Sequence, residues 1–168
     1  MSAWGRANLN PMTEPEAPIS ESPRPKPGLY TLNADGGIVA KQGQPEGEAA
    51  IGAILKDSDN SLVEAISKPI GWARDHQVAE FRALIEGLKL ARKYGVDKIR
   101  VYLDSELVVN TVGGDWDLKP PHLQELLMEA RALFEQFGDG KVCWVPRELN
   151  TEADLLASRA LPPRRTKD

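Results

Sequence analysis

Residues 98–110, "KIRVYLDSELVVN", pose the question on which the architecture turns. Ile99, Val101 and Leu103 alternate with Arg100 and Tyr102, the period of two that marks a β-strand with a packed face. The alternation stops at Asp104, and Ser105 and Glu106 lead into the apolar spacing of a short helix running to about residue 112. A carboxylate therefore stands at the carboxyl end of a strand that reads as central to a sheet. Two roles are open to it on local sequence: N-cap for "SELVV", or a functional acid at the sheet's end.

The segments on either side supply the sheet. "LYTLNAD" (29–35), "AAIGAILKD" (49–57) and "SLVEAISKPI" (61–70) read as three strands, and "DSDN" between the last two is a hairpin signal. Phe81, Leu84, Ile85, Leu88 and Ala91 recur at helical spacing over 77–94, with Gly95 placed to end that helix. After strand 98–104 and its short helix, a third helix spans 121–138, opened by Pro121 and stopped at Gly138. "KVCWVP" (141–146) is a fifth strand. A last helix opens at Asn150 as N-cap and carries Ala153, Leu156, Ala157 and Ala160 on one side. Three strands on short connections, then alternating helices and strands, predict an α/β fold: an antiparallel meander extended by two parallel strands.

The totals narrow the function classes. The 168 residues are 41% hydrophobic and 27% charged, which suits one globular domain with a real core. Residues 1–28 hold six of the 13 prolines and no apolar periodicity, so a disordered leader is expected there, the domain over 29–161, and a loose basic tail over 162–168. No window is apolar enough for a membrane span, and no signal peptide pattern opens the chain. Cys143 is alone, which rules out an internal disulfide and a cysteine-based zinc site and fits a cytoplasmic location. A net charge of −4 argues against coating nucleic acid by bulk electrostatics, yet allows a local basic surface beside an acidic site.

Among 25 acids, four stand in structured segments next to the sheet. Asp104 is the first. Asp35 ends an alternating strand before Gly36 and Gly37, where the chain can turn sharply or let a ligand approach; an Asp-Gly turn is the plainer alternative. Glu80 lies near the start of the long helix on the rim of its apolar stripe, and Asp154 holds the same kind of place on the last helix. Either could simply favour its helix macrodipole, worth about 0.3–1 kcal/mol. Taken together, four convergent carboxylates would resist joint ionisation unless cations shared the site, and an all-oxygen set without His or Cys selects Mg²⁺ or Mn²⁺.

"ADGG", "VAEFRALIEGLKLA", "RVYLDSELVV" and "WVPRELNTEADLLASRAL" resemble, in order, the motifs of type 1 ribonuclease H, particularly the bacterial and archaeal branch that includes mycobacterial ribonuclease HI domains. The resemblance covers about residues 29–161. It implies a ribonuclease H-like five-stranded mixed sheet, endonucleolytic cleavage of the RNA strand of RNA–DNA hybrids, and a carboxylate set at Asp35, Glu80, Asp104 and Asp154. It also implies two divalent cations with substrate bound, one activating water for in-line attack and one stabilising the departing 3′-oxygen. By position, Gly36, Gln77 and Asn150 resemble substrate-contacting residues, although Asn150 also suits a cap and Gln77 a solvated surface. No membrane and no obligate protein partner are expected, and the chain is expected to act as a monomer.

The chain also departs from that pattern. "GIVAKQGQPEGEAA" after the first acid is long for the family, and His76 stands where an amide is common, reading as a surface or substrate-edge residue. "VPRELN" lacks the mobile His of some members, leaving Glu148 as a weak substitute. "GGDWDLKPPH" leaves no room for a basic handle, so Arg147 is among few cations expected to meet hybrid. Trp144, alternating with Cys143, is expected in the core, and Trp116 in local packing. Two other classes stay open: a hybrid-binding module that has lost catalysis, and a metal-dependent DNA nuclease of the same architecture.

Overall fold

The computed structural model describes residues 25–164. Five strands form one sheet in the order β3-β2-β1-β4-β5: β1 (Leu29–Ala40), β2 (Gly47–Lys56), β3 (Leu62–Ala73), β4 (Lys98–Leu103) and β5 (Asp139–Trp144). β1, β2 and β3 pair antiparallel, while β4 lies parallel to β1 and β5 parallel to β4. Among the described residues there are also four α-helices: α1 (His76–Lys93), α2 (Glu106–Val112), α3 (Pro121–Phe134) and α4 (Thr151–Ala160). The expected five-stranded mixed α/β architecture is the one present.

The core is a consequence of strand alternation. Tyr30, Leu32 and Ala34 of β1, Ile99, Val101 and Leu103 of β4, and Ile51, Ala53 and Leu55 of β2 all lie on one face, packed under Phe81, Leu84, Ile85 and Leu88 of α1. β2 is buried along nearly its whole length because helices cover both its faces, and its composition, rich in Ala and Gly, follows from that crowding. The β2–β3 hairpin turns at "DSDN" as expected. Asp57 accepts from the Asp59 and Ser61 backbone N–H groups, and Asn60 takes the left-handed conformation at φ 61°.

Several boundaries differ from the sequence reading for identifiable reasons. β1 does not end at Asp35. It runs through Gly36 and Gly37, paired with Ile51 and Ala50, so the Asp-Gly turn is excluded and the long connection shrinks to residues 41–46. α3 stops at Phe134 rather than at Gly138; Gly138 instead donates its N–H to Asp97 Oδ1 and leads directly into β5, which starts and ends two residues earlier than expected. α1 begins at His76, its N-cap Asp75 accepting from the Val78 N–H at 3.0 Å, and closes at Gly95 with φ 71° as expected.

Trp144 is not core. It shares the helix-covered face with Leu103, but at the carboxyl tip of an edge strand, beyond the helices' cover, and is 48% exposed. Trp72 and Trp116 are exposed as well. Residues 1–24 and 165–168, most of the expected leader and part of the tail, lie outside the described residues. The end of the leader is tied down: the Tyr30 hydroxyl donates to the Lys26 carbonyl, and Lys26 pairs with Asp57 and Asp59. Among the described residues no helix is long and apolar enough to cross a membrane.

Candidate metal centre

β1 and β4 pair as far as Asn33 and Tyr102, and then part. β4 ends one residue later while β1 continues to Ala40, and the resulting notch at the sheet's end is flanked by the next side chains of the two strands, Asp35 and Asp104. Asp104 lies just past the last strand residue. It does not cap α2: Ser105 does, its hydroxyl accepting from the Val108 N–H at 3.3 Å. The cap and the acid are thus neighbouring residues with separate tasks, and Asp104 keeps its carboxylate for the notch.

Two glycines bring the helices in. On one face of the sheet, a Cβ at Gly36 would collide with the backbone of Ala79 and Glu80, so only glycine allows α1 to lie directly on β1 there. That contact delivers Glu80 beside Asp35. On the other face, a Cβ at Gly52, the residue paired with Asp35, would collide with the backbone of Ala153 and Ala157. α4 therefore presses onto β2 and carries Asp154 to Asp35's other side. The close approach that Gly36 permits on this face is made by a helix. Gly52 has no signal in the sequence that separates it from any other strand glycine.

Asp35, Glu80 and Asp104 each bring a carboxylate oxygen within 4.8 Å of the other two. Asp35 is buried, and the other two are partly so. Asp154 stands outside this trio but within hydrogen-bonding reach of Asp35. Burial pushes the Asp35 carboxyl up to about 8, helped by the Asp104 charge, a hydrogen bond to Asp154 and the Glu80 charge. Asp104 is raised too, first by burial and then by Glu80, with its own backbone N–H, Arg147 and Asn150 pulling it down. An acid held largely protonated near neutrality, among others, is a site short of positive charge.

Basic side chains meet part of that shortage. His76 Nε2 lies 3.0 Å from Glu80 Oε1, one helical turn away, and the hydrogen bond to Glu80 raises the imidazole's affinity for its proton. Arg147 Nη2 lies 3.7 Å from Asp154 Oδ1. Glu148, the suggested substitute for a mobile His, is exposed in the same turn.

Of the expected substrate residues, Gln77 is half-buried in the first turn of α1, three residues before Glu80. Asn150 takes the N-cap position of α4 as expected, but its side chain is turned to another task. No side-chain cap bond forms at α4; the residue is 1% exposed, donates to the Ala34 carbonyl at 3.0 Å and accepts from Asn33 Nδ2 at 3.0 Å. Its amide pins the start of α4 to the strand that carries Asp35. Two supporting residues escaped the sequence reading. Asp75, recognisable as a cap by its place before the helix, also binds His122 of α3. Trp144 Nε1 donates to the Asp104 carbonyl at 3.3 Å, a contact no local pattern announces.

The family model described as reverse transcriptase-like matches residues 33–160. The bifunctional protein Rv2228c of Mycobacterium tuberculosis is 42% identical over 130 residues, which is 77% of this chain and 35% of that protein. The chain thus spans about a third of the length of the curated mycobacterial relatives it matches. The solved N-terminal RNase H domain of Rv2228c has 39% identity and a TM-score of 0.74, covering 80% of this chain and all of that one. RNase H1 of the archaeon Halobacterium salinarum follows at 37% identity, TM-score 0.72 and coverage of 79% and 97%. LC11-RNase H1, solved in complex with an RNA/DNA hybrid, has 30% identity, TM-score 0.69 and coverage of 78% and 95%. Sequence identity and overall fold agree with these relatives, and the chain belongs to the ribonuclease H-like family, close to its mycobacterial and archaeal type 1 members.

Proposed function

We propose that this chain is a metal-dependent endoribonuclease that hydrolyses the RNA strand of RNA–DNA hybrids. The observation that carries the reading is the convergence of Asp35, Glu80 and Asp104 within 4.8 Å at the notch between β1 and β4. The donor set fits a hard cation: three carboxylates, no thiolate and no imidazole within the cluster, and an Asp35 proton that a cation would replace. Asp35, Glu80 and Asp104 would hold Mg²⁺ or Mn²⁺, with Asp154 completing the set for two ions when hybrid is bound. Bound there, divalent ions supply Lewis acidity and charge neutralisation for phosphodiester hydrolysis.

The chain's own residues orient these ligands. α1 fixes Glu80 through the Gly36 contact, and α4 fixes Asp154 through Gly52 and Asn150. Trp144 holds the Asp104 backbone. Gln77 is the residue assigned to substrate at the rim, its amide able to meet ribose hydroxyls or phosphate oxygens. Gly36 and Asn150 serve that surface by placing it, since one lies under a helix and the other is buried. The hybrid is favoured as substrate by kinship with a ribonuclease H solved on an RNA/DNA hybrid, and by an A-like minor groove whose 2′-hydroxyls can be read without access to the bases.

The test is cleavage of labelled RNA–DNA hybrid, duplex DNA, duplex RNA and single strands in Mg²⁺ or Mn²⁺, in parallel with Asp104→Asn. Cleavage of RNA in the hybrid alone, leaving 5′-phosphate ends, and near-total loss in the variant are expected. Cutting of duplex DNA would assign the site to a DNA nuclease, and hybrid binding without turnover in either metal would assign it to a binding module.

A further inference from the structure

Arg147 is the basic side chain whose placement the cleavage chemistry leaves unexplained. It opens a single 3-10 turn (Arg147–Leu149) between β5 and α4, after Pro146. Its carbonyl accepts the Asn150 N–H at 3.0 Å, and Asn150 is itself locked to the β1 backbone at Ala34. The backbone that carries the guanidinium is therefore anchored to the strand bearing Asp35. The side chain is not anchored: it is 78% exposed. Its one ion pair among the described residues is the 3.7 Å approach of Nη2 to Asp154 Oδ1, longer than a hydrogen bond and made by one nitrogen of the fork. A guanidinium is permanently charged and shaped for two-point contact with carboxylate or phosphate, and here that geometry is unused. It is held over an acidic site by fixed backbone, and free to leave it.

We infer that Arg147 is a two-position cation: it pairs with Asp154 in the metal-free site, and releases it to grip a phosphate of the RNA strand when divalent ions and hybrid arrive. The inference rests on the proposed function and deepens it, assigning a substrate-phosphate contact to a residue outside the carboxylate set. In the first position its charge opposes cation entry, since a divalent ion feels twice the repulsion that a proton does. In the second its fork meets a partner of matching shape.

The experiment uses calorimetry of Mg²⁺ binding and fluorescence anisotropy of hybrid binding in Ca²⁺ across a salt series, on the wild-type protein, Arg147→Ala and Arg147→Lys. Arg147→Ala is expected to bind Mg²⁺ roughly threefold more tightly, the size of one screened charge at the rim. The same variant is expected to bind hybrid more weakly, with the slope of log affinity against log salt reduced by about one. Arg147→Lys keeps the charge and loses the fork, so Mg²⁺ affinity stays at the wild-type value while hybrid affinity falls between the other two. Steady-state cleavage should show the loss in KM rather than in kcat. Unchanged or weaker Mg²⁺ binding in Arg147→Ala overturns the first position, and an unchanged salt slope overturns the second. A wild-type protein that binds neither Mg²⁺ nor hybrid overturns the functional reading itself, which separates the two failures.

Discussion

Asp35 is the residue where folding and function pull against each other. Its carboxyl is raised from an ordinary 3.8 to about 8 by burial and by neighbouring acids. A folded-state value above the unfolded one means that the native protein binds this proton more tightly than the unfolded chain does. The associated stability is complete below about pH 4 and is lost as pH rises through about 8. Asp104 and His76, both also raised, act in the same sense. Metal-free protein should therefore show a melting temperature that declines across this window, and Asp35→Asn should decline less; thermal denaturation in a chelator across pH measures both. A flat profile in the wild type would remove the claim that the acids crowd one another. Gly36 gives a second prediction. Gly36→Ala places a methyl group in the backbone of α1 and should cost about 1–3 kcal/mol in urea unfolding. Mg²⁺ affinity should fall with it, because relieving the clash moves Glu80.

Elements in this fold are joined to the site by a few polar bonds whose loss can be measured. α4 starts where Asn150 donates to Ala34 and accepts from Asn33, residues separated from it by more than a hundred positions. Asn150→Ala leaves a buried carbonyl without its donor and should destabilise by about 1–3 kcal/mol. Its effect on cleavage should exceed its effect on stability, since Asp154 travels with the helix. α2 offers the control. Ser105→Ala removes that helix's cap and should cost about 1 kcal/mol by chemical denaturation, with Mg²⁺ affinity unchanged because Asp104 takes no part in the cap. Unchanged stability in Ser105→Ala would return the cap to Asp104. The order and type of these elements were legible from periodicity, because apolar spacing follows directly from which face is buried. Their ends were less so. β1 passes through Asp-Gly-Gly since Gly36 lies under α1 and Gly37 faces Ala157 and Leu161 on the other side, and α3 stops early since Gly138 is claimed by Asp97.

For the molecule as a unit, cation binding and folding are one equilibrium. Divalent ions that bind the native notch and not the unfolded chain stabilise by mass action, about 2.7 kcal/mol at a hundredfold excess over Kd. Mg²⁺ should raise the melting temperature, and a chelator should reverse the rise. Asp104→Asn should lose most of it while keeping the metal-free fold. No rise at millimolar Mg²⁺ would argue that the cluster takes no cation. With a net charge of −4 and no basic handle, the proposed hybrid binding would rest on few phosphate contacts, so its affinity should be modest and its dependence on salt shallow.

Periodicity and spacing were enough to establish five strands in a mixed sheet, the helices between them, and carboxylates at strand and helix ends. The ordered motifs added which family arranges acids in that way. Folding alone settled that three of those acids meet, that Ser105 rather than Asp104 caps α2, that Trp144 lies outside the core, and that Asn150 faces the protein. The division has one cause. Local pattern records which face of an element is apolar, whereas the approach of a helix to a strand depends on a missing Cβ at Gly36 and Gly52, whose neighbours come from remote parts of the chain.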